Sequence, residues 1–217
     1  MDDEKFGIDL EALLSRLIPN MNDSALVKLI AVKEKLVEMR KQNLVKINHS
    51  VMEVICAKDL ISKGYEVDIE HRLDESLVCD LLGIKGGDRA VIEIETGFVP
   101  PEHALDPSAY CSARIASKIS RYSKFADKFS LAAPLYQMLP IPPLFLKPPR
   151  VRDHEEIEEM KTLCDRYYDN PSIAMKEIAT GRLHSLFFID VDKGTVSELD
   201  PETYGEFLLA ASDKIRK

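Results

Sequence analysis

The chain has 217 residues, of which 45% are hydrophobic and 30% are charged. This composition excludes a disordered or fibrous protein and predicts one domain, or one domain with a small appendage, whose core needs no disulfides. The net charge of −8 argues against a protein that coats nucleic acid by bulk attraction, although it leaves room for a local basic surface.

The first two thirds of the chain are predicted to form two helices followed by a helix–strand–strand–strand–helix–strand module. The predicted ranges are helices over 9–18, 23–42 and 50–64, strands over 65–71, 77–84 and 90–96, a helix over 108–125 and a strand over 129–133. Ser50-x-x-Glu53 fits a capping box that would start the third helix, and Gly64 would end it. Two glycines within 85–88 predict a tight hairpin turn, because glycine permits positive φ.

The remainder of the chain predicts a linker and a mixed α+β segment. Residues 134–150 contain six prolines, which predict an extended linker. Helices over 153–169 and 172–180, a strand over 186–191 and a last helix from Asp200 follow. The predicted divisions are an N-terminal helical arm (1–47), a core (48–134), a linker (135–152) and a C-terminal α+β extension packed on the core (153–217).

No feature of the sequence predicts a membrane span or an oxidising compartment. Stretches of roughly 20 apolar residues are missing, and the first residues lack the layout of a secretory signal. Cys56, Cys79, Cys111 and Cys164 are too widely spaced for a zinc site, so free thiols are expected, and the five histidines share no ligand spacing. We therefore expect a soluble, cytoplasmic protein with no small-molecule organic cofactor.

Three carboxylates on the predicted hairpin are candidates for chemistry. Asp80 is a lone acid in an apolar strand, where an ionised carboxylate needs a cation or a hydrogen-bond donor. Glu93 and Glu95, two residues apart, project from one face of the next strand, and pairing through the turn brings Asp80 near them. Clustered carboxylates suit Mg²⁺ or Mn²⁺. The alternative is a solvated strand face, with Asp80 bonded to a turn.

The order of elements and the placement of these acids resemble the PD-(D/E)XK nuclease superfamily, which contains restriction endonucleases and archaeal Holliday-junction resolvases. The similarity covers 48–134. Glu53 matches the acid of the first helix, Asp80 the aspartate of the second strand, Glu93 the second acid, and Glu95 the position usually held by lysine.

The helix that follows strengthens the resemblance. Lys118-x-x-Arg121-Tyr122, leading into the strand at 129–133, is similar to the helix-to-strand passage of resolvase-like members. Small archaeal or archaeal-virus proteins of that group resemble this chain most.

The resemblance implies a restriction-endonuclease-like α/β core, with a mixed central sheet flanked by helices in the order αβββαβ. It also implies a Mg²⁺- or Mn²⁺-dependent DNA endonuclease that hydrolyses phosphodiester bonds, with branched (junction) DNA as a candidate substrate and a homodimer as the candidate assembly. Asp80, Glu93, the backbone carbonyl of Ile94 and Glu53 would hold the metal.

Glu95 departs from the superfamily pattern, in which the lysine orients the attacking water and stabilises the developing charge. Three interpretations stay open. Glu95 acts as a base or an additional metal ligand, Lys118 supplies the missing cation, or hydrolysis has been lost. In the last case the chain is a catalytically inactive nuclease fold that binds nucleic acid or a protein partner. Besides an active nuclease and an inactive nuclease fold, a third class of protein stays open: a structural protein whose acids merely face solvent.

The segment 108–130 is the candidate DNA-binding surface, because its only acid is Asp127. Its cations are Arg114, Lys118, Arg121, Lys124 and Lys128. Lys118 and Arg121 are expected to position phosphate oxygens, and each phosphate contact would add to the salt dependence of binding. Further contributions are expected from Lys147, Arg150, Arg152, Lys41 and Lys46. A solvated helix face is the alternative for Lys118 and Arg121.

Overall fold

The computed structural model describes residues 2–45, 47–169 and 171–215. The helices are α1 Asp2–Leu17, α2 Asp23–Lys41, α3 Ile47–Ser62, α4 Pro107–Tyr122, α5 Pro143–Leu146, α6 His154–Asp165, α7 Met175–Thr180 and α8 Pro201–Ile215. The strands are β1 Glu66–Arg72, β2 Val78–Lys85, β3 Asp88–Ile94, β4 Lys128–Pro134, β5 Ser185–Asp190 and β6 Thr195–Leu199. The predicted helix–strand–strand–strand–helix–strand order is confirmed as α3–β1–β2–β3–α4–β4.

The six strands form one open mixed sheet in the order β1-β2-β3-β4-β5-β6. The pairs β1–β2 and β2–β3 are antiparallel, β3–β4 and β4–β5 are parallel, and β5–β6 is antiparallel. A parallel pair needs a crossover connection, and α4 provides it between β3 and β4. The predicted α/β class with a mixed sheet flanked by helices is therefore confirmed.

Helices cover both faces of the sheet, so its central strands are buried on both sides. The helices α1 to α3 pack on one face, against Leu81 and Ile92 among others. The helices α4 to α8 contribute to a second cluster on the opposite face, with Val91 and Leu131. Val91 and Ile92 belong to different clusters because successive strand residues point to opposite faces.

The hairpin between β2 and β3 has the predicted tight turn. Gly86 and Gly87 lie at φ 60° and 95°, a conformation that suits glycine in a two-residue hairpin loop. The pairing runs from Lys85 opposite Asp88 to Leu81 opposite Ile92. Continuing this register by one residue places Asp80 opposite Glu93, as predicted.

Residues 135–152 pack against the core, although their prolines predicted an extended linker. The apolar side chains between the prolines are buried, including Leu139 and Phe145. Leu139 donates its N–H to the Tyr204 hydroxyl on α8 at 2.8 Å and accepts that hydroxyl's proton on its carbonyl at 3.0 Å. This segment therefore joins the sheet to α8, and β5 and β6 extend the same sheet beyond it. The division boundaries themselves stay predictions.

Three local predictions need correction. The third helix begins at Ile47, so Ser50 lies inside it and is fully buried, and the capping-box interpretation is wrong. The first helix begins at Asp2, well before residue 9. The strand β6 was not predicted, although the turn expected at 190–194 does connect it to β5.

Candidate metal and catalytic site

Four carboxylates from three elements meet where the β2–β3 ladder ends; Glu53, Asp80, Glu93 and Glu95 are called the acid cluster below. The acids of the two strands bond to the backbone of the facing strand. Asp80 donates its N–H to Glu93 Oε1 at 3.1 Å, and Ile94 donates its N–H to Asp80 Oδ2 at 2.5 Å. These bonds orient both carboxylates and support the predicted proximity of Asp80 and Glu93.

Glu53 enters the acid cluster from α3 and is fully buried. In the described part of the chain, neither of its carboxylate oxygens has a hydrogen-bond partner. Burial, reinforced by the charges of Asp80, Glu70 and Glu93, raises the pKa of Glu53 well above its ordinary value. Without a partner among the described residues, the ionised form of this carboxyl group is disfavoured, and its burial is costly unless something binds to it.

His49 lies one turn before Glu53 on the same face of α3. One ligand atom from each of His49, Glu53 and Asp80 can be chosen so that all lie within 4.8 Å of one another. Oxygen and nitrogen ligands on one octahedral ion, with bonds of about 2.1 Å, lie about 3–4 Å apart. The three side chains therefore form a group that could share one cation. The five histidines share no ligand spacing among themselves, so His49 was not predicted. Its four-residue spacing from Glu53 was the available signal.

Two cations of α4, Lys118 and Arg114, pair with Glu93 and Glu95 of the acid cluster. Lys118 Nζ lies 3.0 Å from Glu93 Oε2, 2.9 Å from Glu95 Oε1 and 3.1 Å from the carbonyl oxygen of Ile94. An ammonium group has three donors, and three oxygens surround this one. Burial opposes the charge of Lys118, but Glu93, Glu95 and Asp80 outweigh it and raise the pKa of this lysine well above its ordinary value.

Arg114, one turn earlier on α4, completes this ionic network. Its Nη2 lies 2.8 Å from Glu95 Oε2, and its guanidinium also donates to the Phe98 carbonyl. The Arg114 guanidinium stands over the Tyr110 ring at 5.4 Å. Glu95 is therefore bound by two cations, one at each oxygen, and is 3% exposed.

The charges of the site do not balance. If all four acids were ionised, the two cations that pair with them among the described residues, Lys118 and Arg114, would leave two negative charges uncompensated. Burial also raises the pKa of Glu93, an effect that Lys118 opposes and Asp80 strengthens. Next to the site, Glu70 of β1 adopts φ 44°, which is unusual for a residue other than glycine and belongs to the strained conformations that cluster at functional sites. A divalent cation would restore neutrality.

No family model, curated protein or solved structure matches this chain. The chemistry of the site is therefore inferred from its own residues.

The predicted DNA-binding cations differ in their surroundings. Arg114 and Lys118 are largely buried in the network described above. Arg121 donates to the Pro171 carbonyl and stands over the Tyr168 ring, while Lys124 pairs with Glu177 at 2.8 Å. Lys128 is exposed and makes no ion pair within the described residues. Lys46, a further candidate, lies outside the described residues.

The remaining expectations concern the thiols and membranes. The cysteines are free thiols, as expected. Within the ranges that the structure describes, no helix combines the length and apolar character that crossing a membrane requires.

Proposed function

We propose that this chain is a divalent-metal-dependent endonuclease with a restriction-endonuclease-like core, similar to the PD-(D/E)XK superfamily. The observation that carries the proposal is the environment of Glu53. A fully buried carboxyl group without a hydrogen-bond partner among the described residues, beside His49 and Asp80, is explained by a cation that the site is built to hold.

The residues of the site fit a hard divalent ion such as Mg²⁺ or Mn²⁺. Glu53 and Asp80 would supply oxygen ligands, His49 a nitrogen ligand that suits Mn²⁺ better than Mg²⁺, and Glu93 lies next to them through its bond to the Asp80 N–H. When bound, such an ion polarises a phosphodiester and lowers the pKa of a coordinated water. The backbone bonds of Asp80 and Glu93 would keep both carboxylates oriented during the reaction.

Lys118 is the candidate for the cation that the superfamily carries at the position of Glu95. It reaches that position from α4, because its ammonium group lies against Glu95 itself. This geometry favours the second of the three interpretations: Glu95 orients Lys118, and Lys118 would stabilise charge that develops on the phosphate. Arg114 would in turn fix Glu95.

DNA is the proposed partner, with branched DNA retained as a candidate substrate and a homodimer as the candidate assembly. Lys128 is the predicted DNA-binding cation best placed to contact phosphate, since it is exposed and lacks an ion pair among the described residues. Lys124 and Arg121 would first have to leave their present partners. A cytoplasmic location belongs to the same proposal.

A catalytically inactive protein of the same fold is the alternative, and one observation favours it. The ammonium group of Lys118 is bonded to both Glu93 and the Ile94 carbonyl, which were the predicted metal ligands on β3. If Lys118 never releases either group, neither can bind a metal, and the network then only stabilises the fold. The protein would then bind nucleic acid or a protein partner without cleaving it.

Cleavage assays separate the two functions. Purified protein is incubated with branched, duplex and single-stranded DNA and Mg²⁺ or Mn²⁺, beside Asp80→Asn. The matched control is Asp88→Asn, on the same hairpin but exposed. An endonuclease cleaves at least one substrate, loses at least about 100-fold in rate in Asp80→Asn and keeps its rate in Asp88→Asn. Binding without cleavage under every condition supports the inactive alternative.

A further inference from the structure

A cavity of about 870 Å³ lies apart from the acid cluster. It is bounded by the end of α4, the turn at 123–127, helix α7 and the segment 180–184. None of the four acids of the acid cluster lines it. Its volume falls in the range of sites that bind small molecules, about 300–1,000 Å³.

The wall of this cavity is held in place by a close backbone approach. A Cβ atom on Gly181 would lie 2.8 Å from the Glu177 carbonyl oxygen and 3.0 Å from Ser120 Cα, so only glycine fits there. The next residue, Arg182, donates its N–H to Ser123 Oγ at 3.0 Å. The backbone of Arg182 is thereby fixed beside Ser120.

Ser120 is a buried residue of the cavity lining with an unpaired hydroxyl group. It is 2% exposed and lines the cavity, and its hydroxyl has no hydrogen-bond partner in the part of the chain that the structure describes. Buried hydroxyl groups are nearly always hydrogen-bonded, and leaving one unpaired is unfavourable. A bound ligand with an acceptor atom would satisfy it.

The charged groups of the lining favour an anion. The two acids are already engaged: Glu177 pairs with Lys124 at 2.8 Å, and Asp127 accepts the Arg89 N–H at 2.8 Å. Lys176 and Arg182 also line the cavity, and neither makes an ion pair within the described ranges.

His184 also lines the cavity. Burial lowers the pKa of His184, and the positive charges of Lys128 and Arg182 lower it further, while Glu198 opposes the shift. On a chain of net charge −8, the cavity is lined by three cations and two acids, so its lining is net positive.

The geometry points to a binding site for a phosphomonoester, with Arg182 and Lys176 meeting its charge and Ser120 donating a hydrogen bond. Guanidinium and ammonium groups are the usual protein partners of phosphate. The group could belong to a free nucleotide or to the 5′ end of a nucleic acid strand. This inference does not depend on the proposed nuclease activity, because the acid cluster takes no part in it.

Calorimetric titration with adenosine 5′-monophosphate, in EDTA and at low salt, tests the site. Saturable binding is expected, and Arg182→Gln should weaken it about tenfold or more, since a charged hydrogen bond is lost. Arg166→Gln is the control, because Arg166 is also exposed and without an ion pair in the described residues but lies outside the lining. The absence of saturable binding, or equal losses in both variants, would overturn the site.

Ser120→Ala separates a ligand contact from a structural role. The variant should weaken nucleotide binding about fivefold. Its thermal unfolding midpoint without ligand should stay the same or rise, because a buried unpaired hydroxyl is removed. A lower midpoint with unchanged nucleotide binding would contradict the assignment.

Paired oligonucleotides identify the source of the phosphate. Binding of a 5′-phosphorylated strand more tightly than the same strand with a 5′-hydroxyl supports the site, and so does binding of the free nucleotide alone. Equal binding of the two strands with none of the nucleotide would overturn it. Asp80→Asn should leave all these affinities unchanged, so a failure of the nuclease proposal and a failure of this site give different results.

Discussion

The two halves of the acid cluster contain the same kind of side chain in opposite states. Glu93 and Glu95 are buried with Lys118 and Arg114 beside them, and Glu93 also accepts the Asp80 N–H. Glu53 is buried equally well and has no hydrogen-bond partner among the described residues. Because burial is the same, the difference lies in the partners that the fold supplies. The fold supplies partners to Glu93 and Glu95 and supplies none to Glu53 among the described residues, which is the basis of the proposed cation site.

Removing the charge of Lys118, which lies between Glu93 and Glu95, should have the largest effect on the free energy of unfolding. Lys118→Met leaves Glu93 and Glu95 short of a partner, and breaking a buried ion pair from one side costs about 3–5 kcal/mol of unfolding free energy. Urea denaturation measures the loss. Lys124→Met is the matched control, since Lys124 is 49% and its partner Glu177 24% exposed, and exposed pairs contribute about 0–1 kcal/mol. A small loss of unfolding free energy in Lys118→Met would mean that Lys118, Glu93 and Glu95 do not form a stabilising ionic network.

Neutralising Glu53 should change the free energy of unfolding in the opposite direction. The pKa of Glu53 is raised from 4.5 in the folded state, so its contribution to stability is complete below pH 4.5 and is lost as the pH rises towards the raised pKa. In that range the metal-free wild type should lose about 1.4 kcal/mol per pH unit that Glu53→Gln does not lose.

Denaturation curves of the metal-free proteins between pH 5 and pH 8 measure this difference in slope. Glu66→Gln, a substitution of an exposed glutamate on β1, is the control and should follow the wild type. Parallel pH profiles for wild type and Glu53→Gln would show that Glu53 has a partner after all.

The smallest expected effect concerns His49. If this side chain is a ligand, His49→Gln should weaken Mn²⁺ binding about tenfold or more, as measured by calorimetry. His154→Gln replaces an exposed histidine on α6 and should leave the affinity unchanged. Equal affinities in all three proteins would restrict the ligands to carboxylates.

Local rules account for the strand half of the site. Side-chain alternation and a two-glycine turn together determine the register, so Asp80 and Glu93 could be placed opposite each other from the sequence. Glu53 was added by the resemblance, because no local rule brings residue 53 to a strand that begins 25 residues later. The sequence makes Lys118 a candidate partner for this site, but its contact with Glu95 depends on how α4 packs against β3, which no local pattern specifies.

Two parts of the fold were missed for identifiable reasons. The strand β6 carries polar residues such as Ser197 and Glu198 and lies at the edge of the sheet, so it lacks the apolar alternation that predicts a strand. The prolines of 134–150 predicted an extended linker, but Leu139 and Phe145 between and beside them are buried. Proline reports the backbone conformation, whereas burial depends on distant elements such as α8.

Anomalous diffraction from crystals grown with Mn²⁺ tests the central inference most directly. An ion should appear between Glu53 and Asp80, within bonding distance of both carboxylates. An ion bound instead to Glu93 and Glu95 after displacing Lys118, or no ion at a saturating Mn²⁺ concentration, would contradict the account.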